Sequence, residues 1–327
     1  SKRPTTGSGT NKKYYGFDGW RIKEGGEYIS GKNNGDVLAL DADITFSFPS
    51  DAPTHPNIVF EATWEQAEVR TGTSVPTFSN GYDSYERNFW VLTGAVNQPS
   101  RGSGAFESLE TNMTIAACYP DGTNPMNSAS SSNISVKNDF TGTVKIEWLT
   151  WNNNATVNAY GRNLFIGRGF VNQQNGGNFY CSNNNGTVNQ TVRIESGNFN
   201  QFWHYGSDLS SGRIQKQHVF LGCDYDRATS NNNKLTIRGY MRGANSIEVN
   251  STSDTELMRT YAKSGKFCSG VAISGAAAEN SYYIGLSGTH NKGFRYLEIQ
   301  GGEFGNIAGG MDNINDENKP AFTLRIK

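Results

Sequence analysis

Short apolar runs at two-residue spacing, interrupted and closed by glycines, recur along this chain. In LEIQGGEFGNIAGG (297–310), Leu297 is followed by apolar residues two, seven and ten positions later and by a pair of glycines at the end. The stretches that begin at Val192 and, more loosely, at Leu164 repeat this spacing. Two-residue alternation is typical of β-strands, and a glycine between two short strands allows a corner that a Cβ atom would obstruct.

Repeated units of this kind cannot bury their apolar faces alone, so we expect them to stack on one another. The interval from Leu164 to Val192 and that from Leu297 to Leu324 each fit one repeat. The intervals on either side of Leu235 are longer, which indicates loop insertions or two repeats with a hidden pattern. The sequence therefore predicts an all-β fold, and within it a right-handed parallel β-helix (solenoid) with loop insertions.

Three segments are expected along the chain. Residues 1–13 (SKRPTTGSGTNKK) are polar and basic and predict a flexible linker or tether. Residues 14–160 alternate strand and turn signals and predict an N-terminal β region, which is either a cap with the first coils or a separate β-sandwich. Residues 161–327 predict the β-helix coils, and because AFTLRIK lacks the closing glycines, we expect the natural chain to continue beyond residue 327. The best helical candidate is DTELMRTYAKSG (254–265).

Charge and composition restrict the partners. The chain has 29 basic and 30 acidic residues and a formal net charge of -1, so no global field would attract nucleic acid. It contains no apolar stretch long enough for a transmembrane segment. We therefore expect no nucleic-acid partner and no transmembrane segment.

Metal and nucleotide chemistry find no support in the sequence. Phosphate-binding, HExxH and EF-hand motifs are absent, so we expect no cofactor and no metal site. The four cysteines, Cys118, Cys181, Cys223 and Cys268, lie far apart without CxxC spacing. Buried thiols are the expected state, with one or two disulfides as the alternative for an exported protein.

The stretch GGEFGNIAGG and its relatives resemble the GG-x-F-x-x-I-x-GG coils of secreted or surface β-helix proteins, particularly Bacteroidetes-type surface proteins of the pectin-lyase-like class. The resemblance covers mainly residues 163–327. It implies an extracellular protein at the cell surface, attached to the outer membrane. A lipoprotein accessory to a nutrient uptake system, with a lipid anchor N-terminal to Ser1, is among the roles that it implies.

Catalysis in a β-helix would need paired carboxylates or a base beside a cation. The best local candidates are Asp224, Asp226 and Arg227 in GCDYDR (222–227), which would act as catalytic residues only if the protein is an enzyme. For a lyase, Arg238, Arg242 and Arg193 would be the cationic candidates. The alternative is that DYDR is a turn, with Asp chosen for its backbone hydrogen bonds.

Aromatic residues in QFWHYGSD (201–208) predict a ligand-binding surface. If Phe199 points inward, alternation leaves Trp203 and Tyr205 outward, and exposed rings provide platforms for sugar rings or protein partners. The full set of candidate ligand-binding residues is Trp203, His204, Tyr205, Asp208, Tyr225, Arg238 and Tyr240. The repeat also predicts an outward column of Phe165, Arg193, Thr236, Glu298 and Arg325.

Two functions remain open, with a third beside them. The favoured one is a non-catalytic cell-surface β-helix protein whose partner is a polysaccharide, an oligosaccharide or another surface protein. The alternative is a β-helix polysaccharide lyase or glycoside hydrolase. The third is a structural subunit of a surface assembly.

Overall fold

The structure is a computed structural model. It describes residues 3–38, 43–73, 84–93, 96–97, 106, 109–121, 129–130, 133–151, 156–172, 177–182, 187–204, 213–223, 234–244, 258–268, 281–285, 294–308 and 321–327. Within these residues the chain is all-β, with two short 3-10 helices at Gly9–Asn11 and Gly26–Tyr28 and no α-helix.

A small antiparallel sheet opens the chain. Its strands are β1 (Thr5–Thr6), β2 (Lys13–Glu24), β3 (Val37–Leu38) and β4 (Val59–Gln66). β2 is the central strand, paired with β4 on one side and with β1 and β3 on the other. Ile22, Ile29 and Leu38 form its small core, against which Ile58 and Phe60 pack.

A long parallel sheet forms the spine of the molecule, and ten of its strands lie in the described residues. They are β5 (Glu68–Gly72), β6 (Asn88–Leu92), β8 (Thr114–Ala116), β11 (Thr143–Glu147), β14 (Asn163–Ile166), β17 (Thr187–Ile194), β20 (Arg213–Leu221), β23 (Met258–Ala262), β26 (Phe294–Ile299) and β29 (Ala321–Ile326). They pair in chain order, each with the next.

Three further parallel sheets run beside this spine in the described part of the chain. A seven-stranded sheet contains β10 (Asn133–Ser135), β13 (Thr156–Asn158), β16 (Phe179–Tyr180), β19 (Phe202–Trp203), β22 (Met241–Ala244), β25 (Ser281–Gly285) and β28 (Asn306–Ala308). Two four-stranded sheets contain β7 (Val96–Asn97), β9 (Ala129–Ser130), β12 (Thr150–Trp151) and β15 (Val171–Asn172), and β18 (Gly197–Phe199), β21 (Leu235–Ile237), β24 (Lys266–Phe267) and β27 (Glu303–Phe304).

The chain visits these sheets in a fixed order. From β8 onward, a strand of the spine is followed by one of a four-stranded sheet and then by one of the seven-stranded sheet, before the chain returns to the spine. Each strand pairs with its counterpart one repeat later. This succession of parallel strands is compatible with a solenoid.

The register confirms most of the predicted repeat. Leu164 pairs with Val192, and Leu297 pairs with Leu324. Two repeats that the sequence pattern did not reveal lie between them, with Val219 next to Val192 in the spine and Thr260 next to Leu297.

The assignment of Leu235 to the same column is wrong. Leu235 pairs with Gly197 in a four-stranded sheet, so Thr236 does not belong to the outward column of the spine. Phe220 and Tyr261 take that place between Arg193 and Glu298. The glycine of the repeat behaves as predicted, because Gly197 adopts a φ of 119° and a Cβ atom there would lie 2.8 Å from the Phe199 ring.

One further expectation is corrected. Residues 258–262 of the helical candidate form strand β23, because Met258, Thr260 and Ala262 alternate into the core.

The parallel spine begins at β5, so its first strands lie within residues 14–160. For this region the sequence left open a cap with the first coils and a separate β-sandwich.

The four cysteines are buried thiols, and none forms a disulfide. Burial raises the pKa of the Cys118 and Cys268 thiols to about 12. The thiols therefore serve as small apolar groups of the core, as the sequence predicts.

Gly222 ends β20 at a close approach between two repeats, and its replacement tests the packing of the corner. Its φ is 77°, and a Cβ atom would lie 2.0 Å from the carbonyl oxygen of Ser264. Gly222→Ala is expected to destabilise the fold by about 1–2 kcal/mol for the left-handed backbone and a further 1–3 kcal/mol or so for the overlap. Urea-induced unfolding, followed by circular dichroism, measures this loss.

Gly31→Ala is the matched control, because Gly31 has a φ of 70° with no atom near the added Cβ position. It should show only the cost of the left-handed backbone. Equal losses in the two variants would contradict the close approach at Gly222.

Candidate functional site

The outer face of the seven-stranded sheet carries a row of aromatic and cationic side chains. Parallel pairing places Tyr180 beside Trp203 and Trp203 beside Arg242. Strands lie about 4.8 Å apart, so side chains at one register position contact each other, and the centroids of the Tyr180 and Trp203 rings are 5.7 Å apart. Together with Tyr240, whose ring centroid lies 5.9 Å from that of Trp203, we name these four residues the Trp203 row.

Arg242 lies over the rings of this row. Its guanidinium carbon is 4.6 Å from the Trp203 ring centroid and 4.5 Å from the Tyr240 ring centroid. The Trp203 indole N–H donates to Gln201 Oε1 at 3.2 Å, which fixes the ring. Among the described residues, the buried Nε of Arg242 finds no hydrogen-bond acceptor. The row is thus a set of rings and a guanidinium held in mutual contact, and the buried Nε is not open to a ligand.

The structure brings together two of the predicted ligand-binding residues, Trp203 and Tyr240. Arg238 lies just after β21, and its backbone N–H donates to Phe199 O, so it belongs to a different sheet from the row. The other candidates, Tyr205, Asp208, Tyr225, Asp224, Asp226 and Arg227, lie outside the described residues.

His204 lies in the core and not at the surface. It is fully buried, and its Nδ1 lies 2.8 Å from Gln217 Oε1. The amide of Gln217 donates in turn to Gln190 Oε1 at 2.8 Å and to the backbone carbonyl oxygen of His204 at 3.1 Å. Burial and the nearby Arg295 together outweigh the hydrogen bond to Gln217 and lower the pKa of His204 to about 4. His204 is therefore neutral at physiological pH and satisfies polar groups inside the sheets.

A second row lies on the outer face of the spine. In register, Phe165, Arg193, Phe220 and Tyr261 follow one another across four strands. The guanidinium carbon of Arg193 is 4.5 Å from the Phe220 ring centroid, and the Phe220 and Tyr261 rings stack at 5.0 Å. Sequence reasoning missed the second half of this row because it placed Leu235 in the spine.

A compact cluster of charges lies at the N-terminal end of the same face. Lys145 Nζ is 2.8 Å from Glu147 Oε1 and 3.4 Å from Glu86 Oε1. Arg3 joins from the start of the chain, with its NH2 group 2.5 Å from Glu86 Oε2 and its guanidinium carbon 4.4 Å from the Phe89 ring centroid. We name Arg3, Glu86, Lys145 and Glu147 the charge cluster.

This cluster corrects the expectation of a flexible tether over residues 1–13. Arg3 is only 9% exposed, and β1 (Thr5–Thr6) pairs with β2. Lys12 forms an ion pair with Asp121, and the Tyr14 ring stacks on that of Tyr119. Arg3 and Lys12, which the sequence placed in a solvated segment, instead neutralise carboxylates of the first repeats.

The two carboxylates of the charge cluster do not fit the acid of a glycoside hydrolase. Burial would raise the pKa of Glu147, but the Lys145 ammonium and the Arg3 guanidinium outweigh burial and lower the pKa to about 2. The same two cations lower the pKa of Glu86. A general acid needs a raised pKa so that it carries a proton near neutral pH, whereas these groups are held ionised. Their arrangement is that of a structural ion-pair network.

Neither a metal site nor a membrane-spanning helix is found in the part of the chain that the structure covers. No group of three or more His, Cys, Asp or Glu side chains there is placed to hold a metal ion. No helix there has the length and apolar character needed to cross a bilayer.

Comparison with known proteins identifies no relative, since the chain matches no protein-family profile, no curated protein and no solved structure.

Glu147→Gln tests the charge cluster through the pH dependence of stability. The folded-state pKa of Glu147 is about 2, below the ordinary value of 4.5, so ionised Glu147 stabilises the fold above pH 4.5 or so and loses this contribution as the pH falls toward 2. At pH 7 the variant should be less stable by about 3 kcal/mol, because two buried cations lose a partner. Between pH 5 and 2 its stability should fall less steeply than that of the wild type, as measured by urea unfolding across this range.

Glu61→Gln is the control for this experiment. Glu61 pairs with Arg21 at 3.9 Å, and both side chains are about half exposed, so its loss should cost less than about 1 kcal/mol. The same acid dependence in wild type and Glu147→Gln would contradict the assigned role of Glu147.

Proposed function

We propose that this chain is a non-catalytic cell-surface protein whose parallel sheets close into a right-handed β-helix, and that it binds a glycan through the Trp203 row. The observation that carries the proposal is the half-buried Arg242, whose guanidinium is held over the half-buried Trp203 and the buried Tyr240. Sugar hydroxyls and carboxylates are suitable acceptors for such a planar donor.

Two further features support a saccharide chain as the ligand. Tyr180, Trp203 and Arg242 hold one register position on three neighbouring strands, so the row is elongated across the strands, as contact with an extended polymer requires. The rings are fixed by an edge-to-face contact between Tyr180 and Trp203 and by the hydrogen bond from Trp203 to Gln201, and a preorganised surface loses little entropy on binding. The location at the cell surface rests on the resemblance to β-helix surface proteins, and a protein partner is the other class of ligand that this resemblance implies.

Incubation with a panel of neutral and uronate-containing polysaccharides tests the proposal. We expect retention of at least one polysaccharide without shortened products in mass spectra. Trp203→Ala and Arg242→Met should each weaken retention by about tenfold, because each removes a central contact of the surface. Shortened products would identify an enzyme, and loss of cleavage in Asp224→Asn or Asp226→Asn would assign it to those carboxylates.

Trp148→Ala is the matched control. Trp148 is half-buried like Trp203 and has the Arg168 guanidinium 5.6 Å from its ring centroid, but it lies outside the row. Retention that is unchanged in Trp203→Ala and Arg242→Met, or reduced equally in Trp148→Ala, would reject the Trp203 row as the binding surface.

A further inference from the structure

Among the tryptophans whose side chains the structure describes, the most exposed lie on the N-terminal antiparallel sheet. Trp20 on β2 is 45% exposed and Trp64 on β4 is 40% exposed. Phe17 lies between them, with ring centroids 5.1 Å from Trp20 and 5.8 Å from Trp64, both at steep interplanar angles. Edge-to-face contacts of this kind hold the rings in place, while a large part of each indole stays open to solvent.

Strand pairing places these rings on one face. Phe17 pairs with Trp64, Trp20 pairs with Ala62, and Ile22 pairs with Phe60. Directly paired residues of an antiparallel sheet point to the same side, and Ile22 is the fully buried centre of the small core. The face is therefore covered at its Ile22 end and uncovered at its Trp20 and Trp64 end.

At Gly16 the opposite face of the sheet contacts the parallel repeats. A Cβ atom at Gly16 would lie 2.0 Å from the carbonyl oxygen of Glu86, so the backbones of β2 and of the first repeats are in close contact there. The aromatic face thus points away from this contact. The body of the protein does not cover it from that side.

Polar groups follow the rings along the same face. Tyr15 pairs with Gln66 at the end beyond Phe17 and Trp64. Gln66 also lines an open cleft of about 810 Å³, together with Lys12, Lys13, Tyr14, Glu68 and Tyr119. A volume of this size is in the range of small-molecule sites. Gln66 therefore belongs both to the aromatic face and to the lining of this cleft.

We propose that Phe17, Trp20 and Trp64 form a second saccharide-binding platform, which takes neutral pyranose rings on the indole faces and directs the rest of the chain toward the cleft at Gln66. Open ring faces suit the C–H faces of a sugar, and the Tyr15 hydroxyl and the Gln66 amide suit its hydroxyl groups. Two of the three charged groups that line the cleft are paired, Lys12 with Asp121 and Glu68 with Arg70, and the platform rings carry no charge, which favours a neutral ligand over an anionic one.

A protein partner fits this surface less well. Two half-exposed indoles and one phenyl ring offer on the order of 200 Å² of apolar surface, whereas a stable protein interface buries about 800 Å² on each side. A second copy of the chain docked on these rings would therefore need contacts well beyond them.

The test uses the full chain in a Trp203→Ala background, so that the platform is measured apart from the Trp203 row. Neutral gluco-, manno- and xylo-oligosaccharides are titrated by calorimetry and by tryptophan fluorescence. We expect residual binding of at least one of them, weakened about tenfold by Trp20→Ala and by Trp64→Ala. Uronate oligosaccharides should bind more weakly than their neutral counterparts. Thermal unfolding checks that each variant is folded.

Phe48→Ala is the control, since Phe48 is 53% exposed in the same part of the chain but outside the platform. The proposal is overturned if Trp20→Ala and Trp64→Ala bind as the background protein does, or if Phe48→Ala weakens binding equally. It is also overturned if the platform proves to mediate self-association in sedimentation experiments and no saccharide binds. Loss of all binding in Trp203→Ala alone would reject this platform and leave the proposed function standing. Unchanged binding in Trp203→Ala, together with loss of binding in Trp20→Ala, would reject the Trp203 row and support the platform.

Discussion

The parallel register between successive repeats is the constraint on which the rest of the structure depends. Side chains alternate along each strand, so a shift by one residue would turn every inward group outward. Leu164, Val192 and Val219 therefore have to meet position by position, as do Ile166, Ile194 and Leu221 beside them. Their burial stabilises each repeat only when the next one is present, and this mutual dependence fixes the pairing of all the parallel sheets.

The same register also aligns the outer rows, and no additional interaction is needed to align them. Once the inward residues are aligned, the residues between them are aligned as well, at the strand spacing of about 4.8 Å. Cations and aromatic rings then alternate, as Arg193 does with Phe220 and Arg242 with Trp203. Placing a ring beside a cation gives each guanidinium a favourable neighbour and keeps like charges apart. The contacts between cations and rings that stabilise the outer faces therefore also place hydrogen-bond donors and rings side by side.

Sequence reasoning succeeds where a repeat keeps apolar residues at both inward positions and glycine at the corner, as in the repeats of Leu164, Val192 and Leu297. It fails at Thr260, where a polar residue takes an inward position. Thr260 Oγ1 lies 3.4 Å from Nε2 of the buried His204, so a polar contact inside the core replaces the apolar signal. The stretch around Val219 alternates well, but Asp224 and Asp226 stand where the other repeats have the corner glycine and the next apolar residue, so its repeat went unrecognised.

The charge cluster shows a different limit. Arg3, Glu86 and Glu147 are far apart in the chain, and no spacing connects them before the register of β6, β8 and β11 is known. Arg3 in particular lies in a segment whose composition indicates a solvated linker. Arg3 is buried because Glu86 and Glu147 would otherwise lack a positive partner beside the apolar ring of Phe89. The composition of residues 1–13 does not reveal these contacts, which exist only in the folded protein.

The two aromatic surfaces differ in what accompanies their rings, and this difference has chemical consequences. In the Trp203 row the Arg242 guanidinium lies over the rings of Trp203 and Tyr240. On the N-terminal sheet Phe17 contacts both indoles, and Trp20 and Trp64 are 45% and 40% exposed. The first arrangement offers a cation to the oxygen atoms of a ligand, and the second offers apolar ring surface to its C–H groups. A single saccharide has both kinds of group, so the two surfaces are suited to different parts of the same class of ligand.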